Sequence, residues 1–341
     1  MFLLICQPVH AIDVSAQSSI LIEAESGRVL FNKNEHEKLK IASITKIMTA
    51  HVALKHGNLD DQVKISTKAS SAEGSSLYLK AGEKVLLKDL LYGLLLRSGN
   101  DAAVAIAEHI SGSVEQFAEL MNKEAKAFQM SNSYFTNPHG LDTDDKHLST
   151  AFDMAILTKE AIKNDQFNTI FSSKSYKPSF NDYHWNNKHR LVTGLYPHSD
   201  GGKTGFTKKA GRTLVTTATK NNMTLIAVTI NAPDDWNDHM SLFEDAFKRY
   251  ATFEVISKGP VPVLPGSYEN MKYISKQVKK VPLTEDETEQ IVYHIKHGDT
   301  PSLSVYIQDE ELTKVKLYAD KTDSPAFYQT LIRKIKEFFT W

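Results

Sequence analysis

The chain is poor in cysteine: Cys6 is its single copy in 341 residues. That excludes an internal disulfide and any thiolate metal set. It has no apolar run long enough to cross a bilayer as a helix. It also lacks an excess of either charge. Forty Lys and Arg stand against 41 Asp and Glu, giving a formal charge of −1, and no stretch concentrates enough basic residues to track the phosphates of a nucleic acid. Internal repeats and low-complexity segments are absent. What remains is ordinary apolar and charged content over a length that buries a large core and divides into two domains.

Lys and Arg are also missing ahead of Arg28. This bears on the N-terminus, where Phe2-Leu3-Leu4-Ile5-Cys6 is followed by Pro8-Val9-His10-Ala11. An apolar run, a breaker and a small residue read as the rear of an export signal, residues 1–11, without its basic front. Cys6 lies in it, so the mature chain would carry no cysteine.

From Ser19 to Ala24 and from Arg28 to Phe31 the pattern predicts two strands around a turn at Glu25-Ser26-Gly27. Apolar residues at Ile44, Ile47, Met48, Val52 and Leu54 predict a helix ended by Gly57. Helical patterns return at 87–97, 101–110, 114–128 and 150–163. Strands are expected at 213–219 and 223–230 around Asn221-Asn222, a two-residue hairpin turn, and a helix from Trp236 to Tyr250. Strands, then helices, then strands predict an α+β fold, an antiparallel sheet whose two sequence ends pair around an inserted helical cluster. This domain is expected over 12–252.

After Phe253, Gly259-Pro260-Val261-Pro262 and Pro265-Gly266 punctuate a linker. The short alternating segments 291–295, 303–307 and 315–318 predict a small all-β domain over 253–322. The tail 323–341 reads as a C-terminal amphipathic helix. Phe327, Tyr328, Leu331, Ile332, Ile335, Phe338 and Phe339 share one face, and Gln329, Arg333, Lys336 and Glu337 lie opposite. Such a helix either lies in a membrane surface or docks on its own domain.

Three polar motifs sit at the edges of apolar segments: Ser43-Ile44-Thr45-Lys46, Ser98-Gly99-Asn100 and Lys203-Thr204-Gly205. Ser43 is the only serine with a lysine three residues on, a spacing that puts both side chains on one helical face. A helix start also favours negative charge developing nearby. Lys46 can take the hydroxyl proton only if burial or a second cation lowers its affinity for protons, and Lys203 is a suitable second cation. Ser98-Gly99-Asn100 falls at a helix–helix junction; Ser179-Phe180-Asn181 matches the same short pattern but lies outside the helical region. Gly201, Gly202 and Gly205 around Lys203 leave room for an extended peptide to approach the strand.

In this order the trio resembles the active-site motifs of penicillin-binding proteins and class A β-lactamases. The chain is similar to the serine D-alanyl-D-alanine carboxypeptidases, low-molecular-mass penicillin-binding proteins of peptidase family S11, over roughly residues 18–320. Asn137-Pro138-His139-Gly140-Leu141, His147-Leu148-Ser149-Thr150-Ala151 and Ala210-Gly211-Arg212 extend the likeness, with no catalytic role attached to them.

The resemblance implies a penicillin-binding/β-lactamase-like transpeptidase domain with Ser43 as nucleophile, Lys46 as base and Ser98 in proton relay. It implies Asn100 on the substrate backbone, and Lys203 and Thr204 on the terminal carboxylate. Gly205 would line the same strand, with the Ser43 and Phe206 backbone N–H groups as oxyanion hole. The implied partners are a peptidoglycan stem peptide ending in D-Ala-D-Ala, β-lactam inhibitors and a membrane surface met by the C-terminal helix, with no cofactor. The implied location is outside the cytoplasm, peripheral to the membrane.

Three rival readings carry residues of their own. A β-lactamase would use Glu160 and Asn164 of an E-x-x-x-N string to place water, but that string falls in a regular helical pattern. A metallopeptidase would draw on His139, Asp142, Asp144, Asp145 and His147, without the H-E-x-x-H helix that supports such a site. A non-catalytic wall-binding sensor would keep the pocket without turnover, which an intact Ser43, Lys46 and Lys203 argue against.

Overall fold

The computed structural model describes residues 12–261 and 273–319. The export-signal segment, the Pro262 to Gly266 punctuation and the 323–341 helix expected from the sequence lie outside the described residues. The chain divides into two compact units at Thr252/Phe253.

The first unit is α+β. Its five-stranded antiparallel sheet runs, from edge to edge, Val29–Lys33, Ser18–Glu23, Met223–Ile230, Gly211–Lys220 and Ser199–Thr207. The sequence ends of the unit therefore pair at its centre, Ile20 opposite Val228 and Ile22 opposite Ile226. Two turns set the register. In the first, the Glu23 carboxylate accepts the amides of Glu25 and Ser26, at 2.8 and 2.7 Å. In the second, Asn221 and Asn222 both take positive φ, 51° and 61°, the paired left-handed geometry that matches strand twist.

Both faces of the sheet are covered, so its central strands are buried on both sides rather than alternating, with apolar residues and buried threonines such as Thr216 and Thr229. Ile20, Ile22, Val215, Ile226, Val228 and Ile230 face the helical cluster. Leu21, Leu214, Ala218, Leu225 and Ala227 pack instead with Leu242, Phe243 and Ala246 of the Asp235–Arg249 helix. Within the cluster the Asn100–Ser111 helix is buried from Asn100 through Ala107, as expected of a helix with apolar and small residues on every side.

The expected helix over 87–97 is regular only as Leu87–Tyr92. Gly93–Arg97 widens into a π-helical turn that ends at Ser98 in the left-handed region, φ 65°. Leu94, Leu95 and Leu96 are all buried, and Leu77 lies where a side chain at residue 93 would stand. The turn opens so that three successive leucines face the core. Such turns recur at functional sites.

In the second unit, Gly259–Val261, Tyr273–Ser275, Glu310–Ala319, Ser302–Ile307 and Ile291–Lys296 form a five-stranded sheet. Val281, Leu283, Leu303, Val305, Val315 and Leu317 belong to its core. Gly259-Pro260-Val261, expected as linker, is an edge strand, the one place in a sheet where a proline without an amide hydrogen fits. Among the described residues no helix is long and apolar enough to cross a membrane.

Candidate active site

Ser43 lies in a 3-10 turn, Ala42–Thr45, that leads into the Lys46–His56 helix. The nucleophile candidate is thus one turn ahead of the α-helix rather than in its first turn. The residue before it, Ala42, has φ +48°, an uncommon state for a residue with a side chain. Ser43 remains partly accessible, whereas Lys46 is fully buried.

Three contacts surround the Lys46 ammonium. Nζ lies 2.8 Å from Ser43 Oγ, 2.7 Å from Asn100 Oδ1 and 2.7 Å from the His139 carbonyl. Burial, then Lys203, then Lys188 hold its proton affinity well below the ordinary lysine range, against an opposite pull from Asp101. The orientation of Asn100 is fixed because its Nδ2 donates to the Glu73 carbonyl at 2.5 Å. Two of the three contacts, Asn100 Oδ1 and His139 O, can only accept. Once Lys46 loses a proton, its two remaining hydrogens go to them and its lone pair is left facing Ser43.

Lys203 is the second buried cation, on the edge strand Ser199–Thr207. Its Nζ donates to Ser98 Oγ at 3.1 Å and to the Thr204 carbonyl at 2.6 Å. Burial and then Lys188 lower its pKa from 10.5 to about 7. The π-helical turn thus brings Ser98 to Lys203. Asn100, expected on the substrate backbone, is 3% exposed, with Oδ1 accepting from Lys46 and Nδ2 donating to the Glu73 carbonyl.

The glycines of this strand have a reason other than room for substrate. A side chain at 201 would stand 2.5 Å from the Phe171 ring, and one at 202 would collide with His189. At 205 it would lie 2.8 Å from the Ser43 amide nitrogen. Gly205 therefore seats the strand directly against the nucleophile turn, and Phe206 follows with its side chain 67% exposed.

Several contributors carried no motif. Lys188 is exposed and yet depresses both central lysines. His189 is wholly buried and kept neutral by that burial, its pKa lowered to about 3, with Val215 O and Thr216 Oγ1 at 3.1 and 3.0 Å. The Asp101 carboxylate accepts from Ser76 Oγ and the Leu77 and Leu79 amides, at 2.7, 2.8 and 3.2 Å. It folds the 73–79 loop over Asn100. An acidic residue directly after Ser98-Gly99-Asn100, at a helix start, was the available signal.

The rival sites are engaged elsewhere. Glu160 pairs with Lys163 at 2.7 Å, and Asn164 caps the Asp165–Phe171 helix. Asp144 accepts from the Lys146 and His147 amides in its own loop, and both ring nitrogens of His147 are engaged, by the Thr136 amide and by Thr45 Oγ1. Among the described residues no group of three His, Cys, Asp or Glu side chains is placed to hold a metal.

The family model described as D-alanyl-D-alanine carboxypeptidase, peptidase family S11, matches residues 6–234. D-alanyl-D-alanine carboxypeptidase DacF of Bacillus subtilis is 37% identical over 297 residues, covering 77% of this chain and 76% of that protein. DacC of Escherichia coli is 38% identical over 260 residues, 72% of this chain and 64% of that protein. Among solved structures, penicillin binding protein 5 from Haemophilus influenzae superposes with a TM-score of 0.78 at 30% identity, over 91% of this chain and 98% of that one. Penicillin binding protein 6B from Escherichia coli gives 0.73 at 27% identity, over 90% and 96%. The chain belongs to the D-alanyl-D-alanine carboxypeptidase family, peptidase family S11.

Proposed function

We propose that this protein is an exported serine D-alanyl-D-alanine carboxypeptidase that trims peptidoglycan stem peptides. The observation that carries the reading is the Lys46 amine, buried, 2.8 Å from Ser43 Oγ and otherwise bound only to acceptors. A neutral amine so held takes the serine proton as Oγ attacks the carbonyl of the penultimate D-alanine. The oxyanion develops towards the Ser43 and Phe206 amides, where one such donor is worth roughly 3 kcal/mol of barrier. Terminal D-alanine leaves with a proton delivered through Lys46 and Ser98. Water then cleaves the ester, its oxygen bonding the acyl carbon and one of its protons restoring the Ser43 hydroxyl, in a two-step covalent cycle.

The stem peptide adds to the open edge of Ser199–Thr207, with its terminal carboxylate on Lys203 and Thr204. The negative charge raises the proton affinity of Lys203, so a ligand carboxylate restores the ammonium it needs. β-Lactams acylate Ser43 and persist, because their leaving group stays tethered to the acyl carbon. No cofactor takes part. Residues 12–252 carry the chemistry, and the 323–341 tail holds the protein at the outer membrane surface.

The test is release of D-alanine from a short peptide ending in D-Ala-D-Ala, with Ser43→Ala in parallel. Release by wild type alone supports the assignment. Lack of release by folded wild type that still binds penicillin overturns it.

A further inference from the structure

The segment from Thr136 to Leu148 holds the nucleophile helix at three successive polar positions. Pro138 O accepts from Thr49 Oγ1 at 2.6 Å, and His139 O accepts from Lys46 Nζ at 2.7 Å. The third contact is His147 Nε2 with Thr45 Oγ1, 2.9 Å. Gly140 is pressed so closely on Ala42 that a side chain there would overlap the Ala42 carbonyl. Asn137 Oδ1 shapes the loop by accepting the Gly140 amide at 2.7 Å.

The direction of each bond from His147 follows from its neighbours. The Thr136 amide can only donate, and it points at His147 Nδ1 at 3.1 Å. Nδ1 is therefore bare and the ring proton sits on Nε2. Nε2–H then donates to Thr45 Oγ1, which leaves the Thr45 hydrogen for the Ala42 carbonyl, 2.8 Å away. The relay runs from the Thr136 amide through the imidazole and one hydroxyl to the left-handed residue before the nucleophile. The ring is 1% exposed and meets Phe135 edge-on at 5.7 Å.

We propose that His147 is a positioning residue for the reaction of Ser43: through Thr45 it fixes the Ala42 carbonyl, and with it the strained turn that aims the Ser43 hydroxyl and amide. The inference rests on Ser43 being the nucleophile. A left-handed alanine persists only where its surroundings over-determine it; Gly140 packs against its carbonyl, and this relay hydrogen-bonds that carbonyl through the Thr45 hydroxyl. Without it the turn relaxes and both Oγ and the oxyanion donor shift together. Binding, which uses the opposite strand, is left in place.

The experiment measures acylation by a penicillin in the full chain, resolving the non-covalent dissociation constant from the acylation rate constant. Thr45→Val keeps shape and removes the hydroxyl; His147→Phe keeps a ring and removes both nitrogens; His147→Gln keeps a donor near Nε2. The expected result is an acylation rate constant about tenfold to a hundredfold lower in Thr45→Val and His147→Phe, the scale of a misplacement near 1 Å. Their dissociation constants stay unchanged, the double variant is no worse than either single one, and His147→Gln recovers part of the loss.

Wild-type acylation in folded Thr45→Val overturns the proposal, as do multiplying defects or a loss confined to the dissociation constant. If His147→Phe does not fold, Thr45→Val against Thr45→Ser decides alone, with Ser expected to acylate as wild type does. Failure of wild type to acylate would instead refute the nucleophile assignment.

Discussion

The helix after Ser43 and the edge strand Ser199–Thr207, the two walls of the site, each contribute one buried lysine, and the two lysines are held differently. Lys46, on the helical wall, has three contacts: two fixed acceptors and one hydroxyl that can reverse its role. Lys203, on the strand wall, has one hydroxyl and one carbonyl, with a pKa of about 7. Neither has a hydrogen-bonded carboxylate partner, so each gives up protons more easily than a surface lysine. The first arrangement points a lone pair at a nucleophile. The second leaves a cation short of one acceptor, which in the proposed function an incoming carboxylate supplies. In the proposed reaction the same residue type, buried to the same depth, serves as a base on one wall and as an anion receptor on the other, because of what surrounds it.

That contrast can be broken by substitution. Ser43→Ala removes the group both walls serve, and a loss of roughly 10⁴-fold or more is expected in penicillin labelling and peptide cleavage together. Stoichiometric labelling of the variant by mass spectrometry would place the nucleophile elsewhere. Lys46→Met is expected to lower the acylation rate constant about 10³-fold while leaving the affinity for a D-Ala-D-Ala peptide near wild type. An equal loss in both quantities would erase the distinction between the walls.

Lys203→Met should do the reverse, raising KM by roughly tenfold to a hundredfold with a smaller change in kcat. Because the Lys203 charge depresses Lys46, its removal should also move the acid limb of the kcat/KM profile to higher pH. The same variant should unfold at a higher temperature. A folded pKa of about 7 against an ordinary 10.5 means the buried charge costs stability in full below pH 7, and that cost fades as pH rises towards 10.5. A gain of about 1–3 kcal/mol is therefore expected at pH 6, shrinking by pH 10. Thermal melts at both values check the sign. The smallest effect belongs to Glu160→Gln, which should leave hydrolysis of the penicilloyl-enzyme within about twofold of wild type; a marked slowing would revive the β-lactamase reading.

Much of this was legible where the determinants are local. The Glu23 to Arg28 hairpin, the Asn221-Asn222 turn and the Ser43 to Lys46 spacing each act within a few residues, and each stands where the pattern puts it. Pairing of the two sequence ends in one sheet followed from element order. What the sequence did not show has one cause, long-range packing. The π-helical turn at Gly93–Arg97 depends on Leu77, the commitment of Asn100 on the 73–79 loop, and the glycines at 201 and 202 on Phe171 and His189. His147 lies 102 residues from Thr45, and no periodicity links them. The proline at 260 reads as linker until the sheet it edges is seen.

Among the described residues the strand Ser199–Thr207 has no sheet neighbour on the side away from Gly211–Lys220. A bare edge of this kind is a template on which any extended chain, including another copy of the same protein, can polymerise. Here the edge carries a buried ammonium in its middle and is crossed at Gly205 by the nucleophile turn. A long neutral strand would have to bury that charge unanswered, whereas a short peptide that ends in a carboxylate answers it. If Lys203 receives the substrate carboxylate as proposed, the same buried charge that admits a chain end disfavours a second copy of the strand.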